Sequence, residues 1–390
     1  MMLQSVLLII FWGSISVILY CYVGFPLLLA TRCMLIASKK IRIQPNQFPA
    51  ISVIIAAYNE ADVITKKIEN ILVSNYPHNK LDIIVVSDGS TDGTNDLVSS
   101  IKAPEVRLLD LSRQGKNSAI NEAVKTAKGE ILVFTDADSI LHPDSLQNLV
   151  ASFSDPEIGG VSGDYRYAGQ NVKQEGEHAY WNYDRILKRL QSGNGSVSGA
   201  SGALYAIRSS LFKPVPTTVT DDFFSAMQVV SSHHRLIFEP RAVAYGTVAS
   251  SARAEFRRKV RIITRGLHGI WLMRHLLNPF SYGFFAIQLF THKLLRRLAV
   301  IPLILLAVSA PLLWYTGWPY QVATITQFAF HAIALAGFAL QNTRLGQTKF
   351  FGIPFHFDLV YYASLIAIFN NLRGNQFATW RPERIQESQK

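Results

Sequence analysis

The alternation of apolar and amphipathic stretches over residues 51–138 constrains the fold more than any other feature of this chain. Apolar runs of strand length cover 51–57, 82–87, 106–109 and 130–134. Helical patterns lie between them, at 60–74, 92–101 and 114–127. Strands that alternate with helices along a chain form a parallel sheet with helices on both faces. The sequence therefore predicts an α/β fold with a doubly wound, mostly parallel sheet.

Three of the apolar runs end in polar side chains. Tyr58, Asn59 and Glu60 follow the first run, Asp88 ends the second, and an acidic pair follows the fourth. Open α/β sheets bind ligands beyond the carboxyl ends of their strands. Each cluster also has a local explanation, because Asn59 suits a helix cap and Asp88 with its following glycine suits a turn. Their coincidence at several strand ends favours one shared ligand crevice.

The acidic pair is Asp136 and Asp138, directly after the fourth apolar run. Side chains two residues apart in a strand point the same way, so both carboxylates are expected to face one spot. Two like charges at that distance repel each other, and a divalent cation relieves the repulsion. The alternative is that one Asp caps the next helix and the other lies in solvent, since Asp-x-Asp is a common tripeptide.

The second half of the soluble region is less regular. Glycines and serines concentrate at 193–202, which predicts a loop that continues into a strand at 203–207. Thr220 is expected to cap a helix over 223–230, and residues 236–238 form a further strand.

Both ends of the chain are apolar enough to enter a membrane. Residues 5–30 are long enough to cross a bilayer and too long for a typical signal-peptide core, which predicts an uncleaved anchor. The basic residues that follow place this side in the cytoplasm; they are Arg32, Lys39, Lys40 and Arg42. Residues 299–314 and 320–340 are further candidate spans, and 351–371 is a weaker one, interrupted by Pro354, His356 and Asp358.

This arrangement conflicts with the usual distribution of positive charge. One N-terminal and three C-terminal spans would place the basic residues of the C-terminus outside the cytoplasm; these are Arg373, Arg381, Arg384 and Lys390. Either the last apolar segment is re-entrant or interfacial, or the charge tendency fails here. Both readings stay open.

Positive charge concentrates between the soluble region and the C-terminal spans. The net charge is +11, and residues 251–300 hold ten Lys or Arg against one acid, Glu255. Apolar residues recur at helical spacing over 254–275 and 283–297, so we predict amphipathic helices in the membrane interface and no nucleic acid as partner. Cys21 and Cys33 both lie in the first apolar stretch, which implies no disulfide framework and suits a reducing compartment.

The predicted organisation is a multi-pass protein of the bacterial inner membrane. We expect an anchor at 1–34, a cytoplasmic catalytic domain at 50–250, interfacial helices at 251–297, membrane segments at 298–372 and a basic tail at 373–390.

Several short segments in this order resemble membrane-bound family-2 glycosyltransferases, the group that includes the cellulose, hyaluronan and poly-N-acetylglucosamine synthases. The segments are 56–60, 86–94, 115–116, 136–138, 199–203 and 220–222. The resemblance is close over 50–275. It implies the nucleotide-sugar-binding glycosyltransferase A-type fold and transfer of a sugar from a UDP-sugar with inversion at the anomeric carbon.

The resemblance implies donor, metal and acceptor sites. Donor-binding positions are Ala57, Tyr58, Glu60, Asp88, Lys116, Asp136, Arg258 and Arg261. Among these, Tyr58, Glu60 and Asp88 would hold the uracil and ribose, and Lys116 would lie near the phosphates or the sugar. Asp138 would bind Mg²⁺ or Mn²⁺ against the diphosphate, with chelation by Asp136 as well left open. Acceptor-binding positions are Gly199, Ser201 and Gly202.

The resemblance also assigns the general base. Asp222 matches the Asp of the family's Thr-Glu-Asp and is the candidate general base, while Asp221 replaces the family's Glu and leaves open which of the two carboxylates takes the proton. Two acids at a helix N-terminus are also favoured by the helix dipole alone.

The basic segment departs from the family pattern. Processive synthases carry Gln-x-x-Arg-Trp, whereas this chain keeps that spacing with Arg258 and Arg261 and lacks the Trp. We therefore expect transfer of one or a few sugars to a lipid-linked or membrane-delivered saccharide acceptor in glycan biosynthesis, with partner subunits of a glycan-assembly system. The alternatives are a processive, secreting β-polysaccharide synthase, a non-catalytic nucleotide-sugar-binding scaffold, and a nucleotidyltransferase on a similar sheet.

Overall fold

The computed structural model describes residues 2–36, 48–167, 175–246, 251–346 and 348–375. The basic residues Lys39, Lys40 and Arg42, and most of the predicted basic tail, lie outside the described residues.

One eight-stranded sheet forms the centre of the soluble part. Its strands are β1 (Ile51–Ala57), β2 (Leu81–Asp88), β3 (Val106–Leu111), β4 (Ile131–Phe134), β5 (Ile140–Leu141), β6 (Ile158–Tyr167), β7 (Tyr205–Arg208) and β8 (Arg235–Gly246). They lie in the order β3-β2-β1-β4-β7-β6-β8-β5. The first four are parallel, whereas β7 runs antiparallel to both β4 and β6, and β5 antiparallel to β8. The predicted α/β fold is confirmed, and the second half of the sheet contains antiparallel as well as parallel strand pairs.

Helices surround this sheet and form the apolar ends of the chain. They are α1 (Met2–Leu19), α2 (Phe25–Leu35), α3 (Ala61–Leu72), α4 (Thr94–Ser100), α5 (Lys116–Thr126), α6 (Ser145–Val150), α7 (Glu175–Gly193), α8 (Asp221–Ser231), α9 (Ala252–Leu272), α10 (Pro279–Tyr282), α11 (Phe284–Leu289), α12 (Arg296–Leu298), α13 (Val300–Leu312), α14 (Trp318–Ala339) and α15 (Lys349–Leu372). The π-helical turn Phe290–Leu295 joins α11 to α12.

Strand β1 is buried along its whole length because helices cover both faces of the sheet. Val53 and Ile55 pack in one core with Ile64 of α3, whereas Ile54 packs in a second core with Ile120 of α5. An unbroken apolar run is the sequence pattern that such two-sided burial requires. The carboxyl ends of β1, β2 and β4 therefore share one edge, where the polar residues gather.

Three helical stretches in the described residues are long and apolar enough to cross a membrane: Met2–Leu35, Trp318–Ala339 and Lys349–Leu372. A fourth arises if Phe284–Leu298 and Val300–Leu312, bent by 47°, count as one broken span. The predicted weak segment 351–371 is thus a continuous helix that contains Pro354. The predicted segment 299–314 falls mostly in the second arm of the bent pair.

Helix α9 forms over the first predicted interfacial segment, and it packs against the protein. Its residues Val260 and Ile263 share a buried cluster with Ala363 and Ala367 of α15. The second predicted segment, 283–297, is divided among α11, the π-helical turn and α12. The location of both in the membrane interface remains a prediction.

Candidate active site

Lys116 joins two segments that are far apart in sequence. It is the first residue of α5, and its ammonium lies 2.8 Å from Asp136 Oδ1 and 3.5 Å from Asp221 Oδ1. Burial opposes the charged ammonium, but Asp136 and Asp221 outweigh burial and raise the pKa of Lys116. A fixed positive charge therefore lies between the end of β4 and the start of α8.

Asp222 faces the same crevice from the first turn of α8. Its Oδ1 accepts a hydrogen bond from the backbone N–H of Phe223 at 2.7 Å, which fixes the carboxylate. Thr220 is the N-cap residue as predicted, although its side chain makes no capping hydrogen bond. Desolvation and the neighbouring Asp221 raise the pKa of Asp222. This carboxylate holds a proton more readily than an ordinary Asp, as suits a group that exchanges one.

Gly202, in the predicted acceptor-binding segment 199–203 (the acceptor segment), lies close to the carboxylates of Asp136 and Asp222. A methyl group built on it would lie 3.5 Å from Asp222 Oδ2 and 3.7 Å from Asp136 Oδ2. The segment thus enters the crevice with a glycine where a side chain would fill it. Ser201 is buried and pairs with Leu204 in an isolated bridge. At Gly199, a built methyl group would lie 3.2 Å from Lys293 Nζ, so the π-helical turn contributes a cation beside the acceptor segment.

The acidic pair lies beyond β4, because that strand ends at Phe134. The expectation that strand alternation aligns the two carboxylates is therefore wrong, and a turn brings them together. Asp138 is exposed and Asp136 is partly exposed. Desolvation is the largest effect that raises the pKa of Asp136, and the charge of Asp138 adds to it against the opposing Lys116. These interacting oxygens suit a hard divalent cation.

No group of three or more His, Cys, Asp or Glu side chains converges in the described part of the chain. A metal at this edge would be held by one or two carboxylates and completed by oxygens of the ligand it binds. That is the usual coordination of Mg²⁺ by carboxylates and phosphates.

Asp88 is turned toward the protein. It is buried, and its carboxylate accepts hydrogen bonds from the backbone N–H groups of Gln114 at 2.7 Å and Gly115 at 3.0 Å, and from Arg113. These contacts fasten the loop before α5 and thereby position Lys116. Among the other predicted donor residues, Ala57 is fully buried at the end of β1 and Glu60 is buried before α3.

Arg113 was not predicted, and it lies against a predicted donor residue. Its guanidinium is 3.3 Å from the centre of the Tyr58 ring. A planar cation on an aromatic face marks a flat surface that also suits a nucleobase. The sequence shows an arginine near Gly115 and Lys116, but no periodicity points it toward Tyr58, which is distant in sequence.

The basic segment reaches the site through an arginine that was not predicted, Arg265. Arg258 pairs with Glu255 on its own helix at 2.7 Å. Arg265, one turn beyond Arg261, is buried and donates to the carbonyls of Thr217, at 2.9 Å, and of Val219. It therefore braces the segment that leads into Asp221 and Asp222, whose charges partly offset the burial that lowers the pKa of Arg265.

Lys67 of α3 is a fully buried cation behind the acidic turn. It donates hydrogen bonds to Thr135 Oγ1 at 2.7 Å and to the Ser139 carbonyl at 2.7 Å, the two residues that bracket Asp136 and Asp138. Thr135 in turn donates to the Ala203 carbonyl at 2.8 Å. Lys67 thus connects the acidic turn to the acceptor segment through one hydrogen-bond network.

Lys67→Met is expected to change stability in a pH-dependent way. Burial lowers the pKa of Lys67 from 10.5 to about 7, although Asp136 and Asp138 act in the opposite direction. The charged form therefore disfavours the folded state below about pH 7, and this cost fades as the pH rises toward 10.5. The melting temperature of the variant relative to wild type is expected to fall from pH 7 to pH 10 in thermal unfolding. Exposed Lys66 supplies the control, Lys66→Met; a pH-independent difference for Lys67→Met would contradict the interpretation.

Comparison with known proteins supports the resemblance. Residues 52–215 match the model of the family described as glycosyl transferase family 2. The chain is 25% identical over 230 residues to the poly-beta-1,6-N-acetyl-D-glucosamine synthase of Staphylococcus epidermidis, covering 57% of this chain and 55% of the relative. It is 27% identical over 233 residues to the synthase of that name from Staphylococcus aureus, covering 57% and 56%. The chain thus spans a little over half the length of the curated relatives it matches.

A solved structure agrees over most of the chain. The mannosyltransferase PcManGT from Pyrobaculum calidifontis, in complex with GDP-Man and Mn²⁺, superposes with a TM-score of 0.70 at 24% identity. The superposition covers 93% of this chain and 99% of that chain. At this identity the likeness bears on the fold alone, and it agrees with the glycosyltransferase A-type fold expected from the sequence.

Proposed function

This chain carries a glycosyl transferase family 2 domain, and we propose that it is a metal-dependent, inverting transferase that uses a nucleotide-sugar donor. The acceptor is a lipid-linked or membrane-delivered saccharide, and the product enters polysaccharide or glycan biosynthesis. The observation that carries the proposal is the meeting of Asp136, Lys116, Asp221 and Asp222 around Gly202. The end of β4 and the N-termini of α5 and α8 supply these groups, as a crevice for one ligand requires.

Asp222 acts as the general base in this proposal. It removes the proton from the acceptor hydroxyl while that oxygen bonds to the anomeric carbon, and the bond from that carbon to the diphosphate oxygen breaks on the opposite side. The nucleoside diphosphate leaves with the bonding electrons, and the configuration at the anomeric carbon inverts. Gly202 leaves room for the acceptor beside the base.

The donor lies along the edge from Tyr58 to Asp136. The nucleobase of the donor stacks at the surface that Tyr58 and Arg113 define, and Lys116 holds the phosphates or the sugar. Asp138, with Asp136, would hold Mg²⁺ or Mn²⁺. The ion would neutralise charge on the diphosphate leaving group. UDP-sugars are the donors implied by the sequence resemblance, and the GDP-Man of the mannosyltransferase makes GDP-mannose the first alternative.

We also propose that the apolar helices anchor the enzyme in a membrane, with its catalytic domain in the cytoplasm; their length and apolar composition support this. A processive synthase is the second candidate, because the curated relatives are poly-beta-1,6-N-acetyl-D-glucosamine synthases. Partner subunits of a glycan-assembly system fit either candidate.

A donor panel with purified protein tests the proposal. UDP-sugars and GDP-mannose are supplied as labelled donors with membrane lipid extract, with and without Mg²⁺ or Mn²⁺. Nucleoside-diphosphate release and product length are then measured. We expect metal-dependent release from one donor and a product extended by one or a few sugars. A long polymer would favour the processive synthase, and no release or binding with any donor would contradict the enzyme assignment.

A further inference from the structure

A cavity of about 180 Å³ lies between the apolar ends of the chain and α7. The aromatic rings of Tyr22, Tyr183, Phe357 and Tyr361 form much of its wall. Tyr22 belongs to the first candidate span and Phe357 and Tyr361 to the last, whereas Tyr183 comes from the soluble domain. The cavity is therefore apolar, and it lies where the catalytic domain meets the candidate membrane helices.

Two arginines, Arg296 and Arg297 of α12, give this apolar cavity a positive charge. The Arg296 guanidinium lies 5.7 Å from the centre of the Tyr22 ring and 5.3 Å from that of Tyr183. Within the described ranges, Arg297 forms no salt bridge with a carboxylate. Charged side chains among membrane helices are costly unless they are paired, so Arg297 indicates an anionic occupant.

The side chains that line the cavity favour one class of ligand. A guanidinium pair binds the oxygens of a phosphate, and aromatic walls bind a hydrocarbon chain. Basic pockets between membrane helices are a recurring type of site for lipid head groups. A soluble sugar phosphate would leave the aromatic walls without an apolar partner, and a neutral lipid would leave Arg297 without an anion.

The cavity is connected to the acceptor segment through one helical stretch. Lys293 lies beside Gly199, and Arg296 and Arg297 follow it about one turn later in the same continuous run of helix. His292, in the same turn, lies 2.8 Å from Ser198 Oγ through its Nδ1. One helical stretch thus carries both the arginines of the cavity and the Lys293 cation beside the segment where the acceptor is proposed to bind.

We propose that this cavity binds a lipid with a phosphate or diphosphate head group, which Arg296 and Arg297 hold while the hydrocarbon chain lies against the aromatic wall. The inference rests on the proposed function where it concerns the acceptor: a saccharide carried on that phosphate would extend past Lys293 toward Gly199 and Asp222. Binding of the lipid itself does not depend on sugar transfer.

Lipid binding to the full-length protein in phosphatidylcholine nanodiscs tests the proposal. The probes are a long-chain isoprenyl phosphate, phosphatidylglycerol and the uncharged isoprenol, and the readout is lipid retained per protein by native mass spectrometry. We expect the phosphate-bearing lipids to be retained over the isoprenol. Retention of the isoprenyl phosphate alone identifies a carrier-lipid site, and retention of phosphatidylglycerol as well identifies a general anionic-lipid site. Equal retention of isoprenol and isoprenyl phosphate would overturn the proposal.

Substitutions at the cavity test whether the retained lipid binds there. Arg297→Gln is expected to weaken retention of the isoprenyl phosphate about tenfold, as loss of a charge-assisted contact predicts, and Arg297→Lys to restore part of it. Arg274→Gln is the matched control, since Arg274 lies on the Trp271 ring, away from the cavity lining. An unchanged affinity in Arg297→Gln would overturn the assignment of the head group to this site. Nucleotide-sugar binding is measured in parallel, and its failure in wild type would count against the proposed function without bearing on lipid retention.

Discussion

Asp222→Asn is expected to lower the rate of sugar transfer strongly while it leaves donor binding intact. The amide keeps the size of the carboxylate and an oxygen that accepts the hydrogen bond from Phe223 N–H, so the local geometry should survive. It is unable to take the acceptor proton. Loss of a general base lowers kcat by about 10²–10⁴-fold. The measurement is kcat for transfer in purified protein, with the Kd for the nucleotide sugar determined separately.

Asp221→Asn is the matched control for this prediction. Asp221 lies 3.5 Å from Lys116 and is buried, so its loss should weaken donor binding through Lys116 and lower kcat less than Asp222→Asn does. If Asp222→Asn retained transfer and Asp221→Asn lost it, the base assignment would pass to Asp221. This comparison resolves the ambiguity that the replacement of Glu by Asp leaves in the sequence.

The pH dependence of wild-type transfer provides an independent check on Asp222. Desolvation and Asp221 raise the pKa of Asp222, and only the deprotonated carboxylate accepts a proton. Activity should therefore fall as the pH drops through that raised pKa, above the value of about 3.9 for an unperturbed Asp. The residual activity of Asp222→Asn should not show this decline toward acidic pH.

The first half of the sheet could be predicted because its pattern is local. Strands β1, β2 and β4 are apolar runs bounded by polar residues, and two-sided burial is what such runs require. The gathering of polar groups at their ends then follows from parallel strand direction. Asp136 was therefore expected at this edge, and Lys116, which only the family resemblance assigned to the same donor site, lies 2.8 Å from it.

Strand β6 escaped prediction because its sequence has the composition of a loop. Residues 158–163 contain Gly159, Gly160 and Gly163, which weaken strand propensity. The structure needs at least the first of them, since a methyl group on Gly159 would lie 2.6 Å from His234 Cβ. The close approach of a distant segment requires glycine at that position. The periodicity of a single sequence does not reveal such a long-range contact.

Arg113 and Arg265 could not be identified for a related reason. Their guanidinium groups are placed by the Tyr58 ring and by the carbonyls of Thr217 and Val219, which are long-range partners. The same holds for Asp88, whose sequence context suits a ligand contact or a turn and whose partners in the structure are backbone N–H groups of the loop before α5. Residue types were predictable at this site, whereas their orientation depended on the packed fold.

Asp138→Asn is expected to raise the concentration of Mn²⁺ needed for half-maximal transfer by about a hundredfold. Unit charges about 4 Å apart near a protein surface interact by about 4 kcal/mol, so removing one carboxylate charge from a divalent cation site is a large change. Asp138 is exposed in the turn beyond β4, so its replacement should leave the fold intact. The measurement is initial rate against Mn²⁺ concentration after removal of bound metal with a chelator.

Asp136→Asn and Asp138→Asn should differ in their effect on donor binding, which distinguishes the roles of the two carboxylates. Asp136 also pairs with Lys116 at 2.8 Å, so its loss should alter nucleotide-sugar binding even in the absence of metal, whereas Asp138→Asn should leave metal-free binding unchanged. Asp144→Asn is the control, because its side chain is as exposed as that of Asp136, at 38%, and lies next to His142 beyond the acidic turn. Wild-type transfer that persists fully in chelator would contradict metal dependence. An unchanged Mn²⁺ requirement in Asp138→Asn, with a raised one in Asp136→Asn, would assign the ion to Asp136 alone.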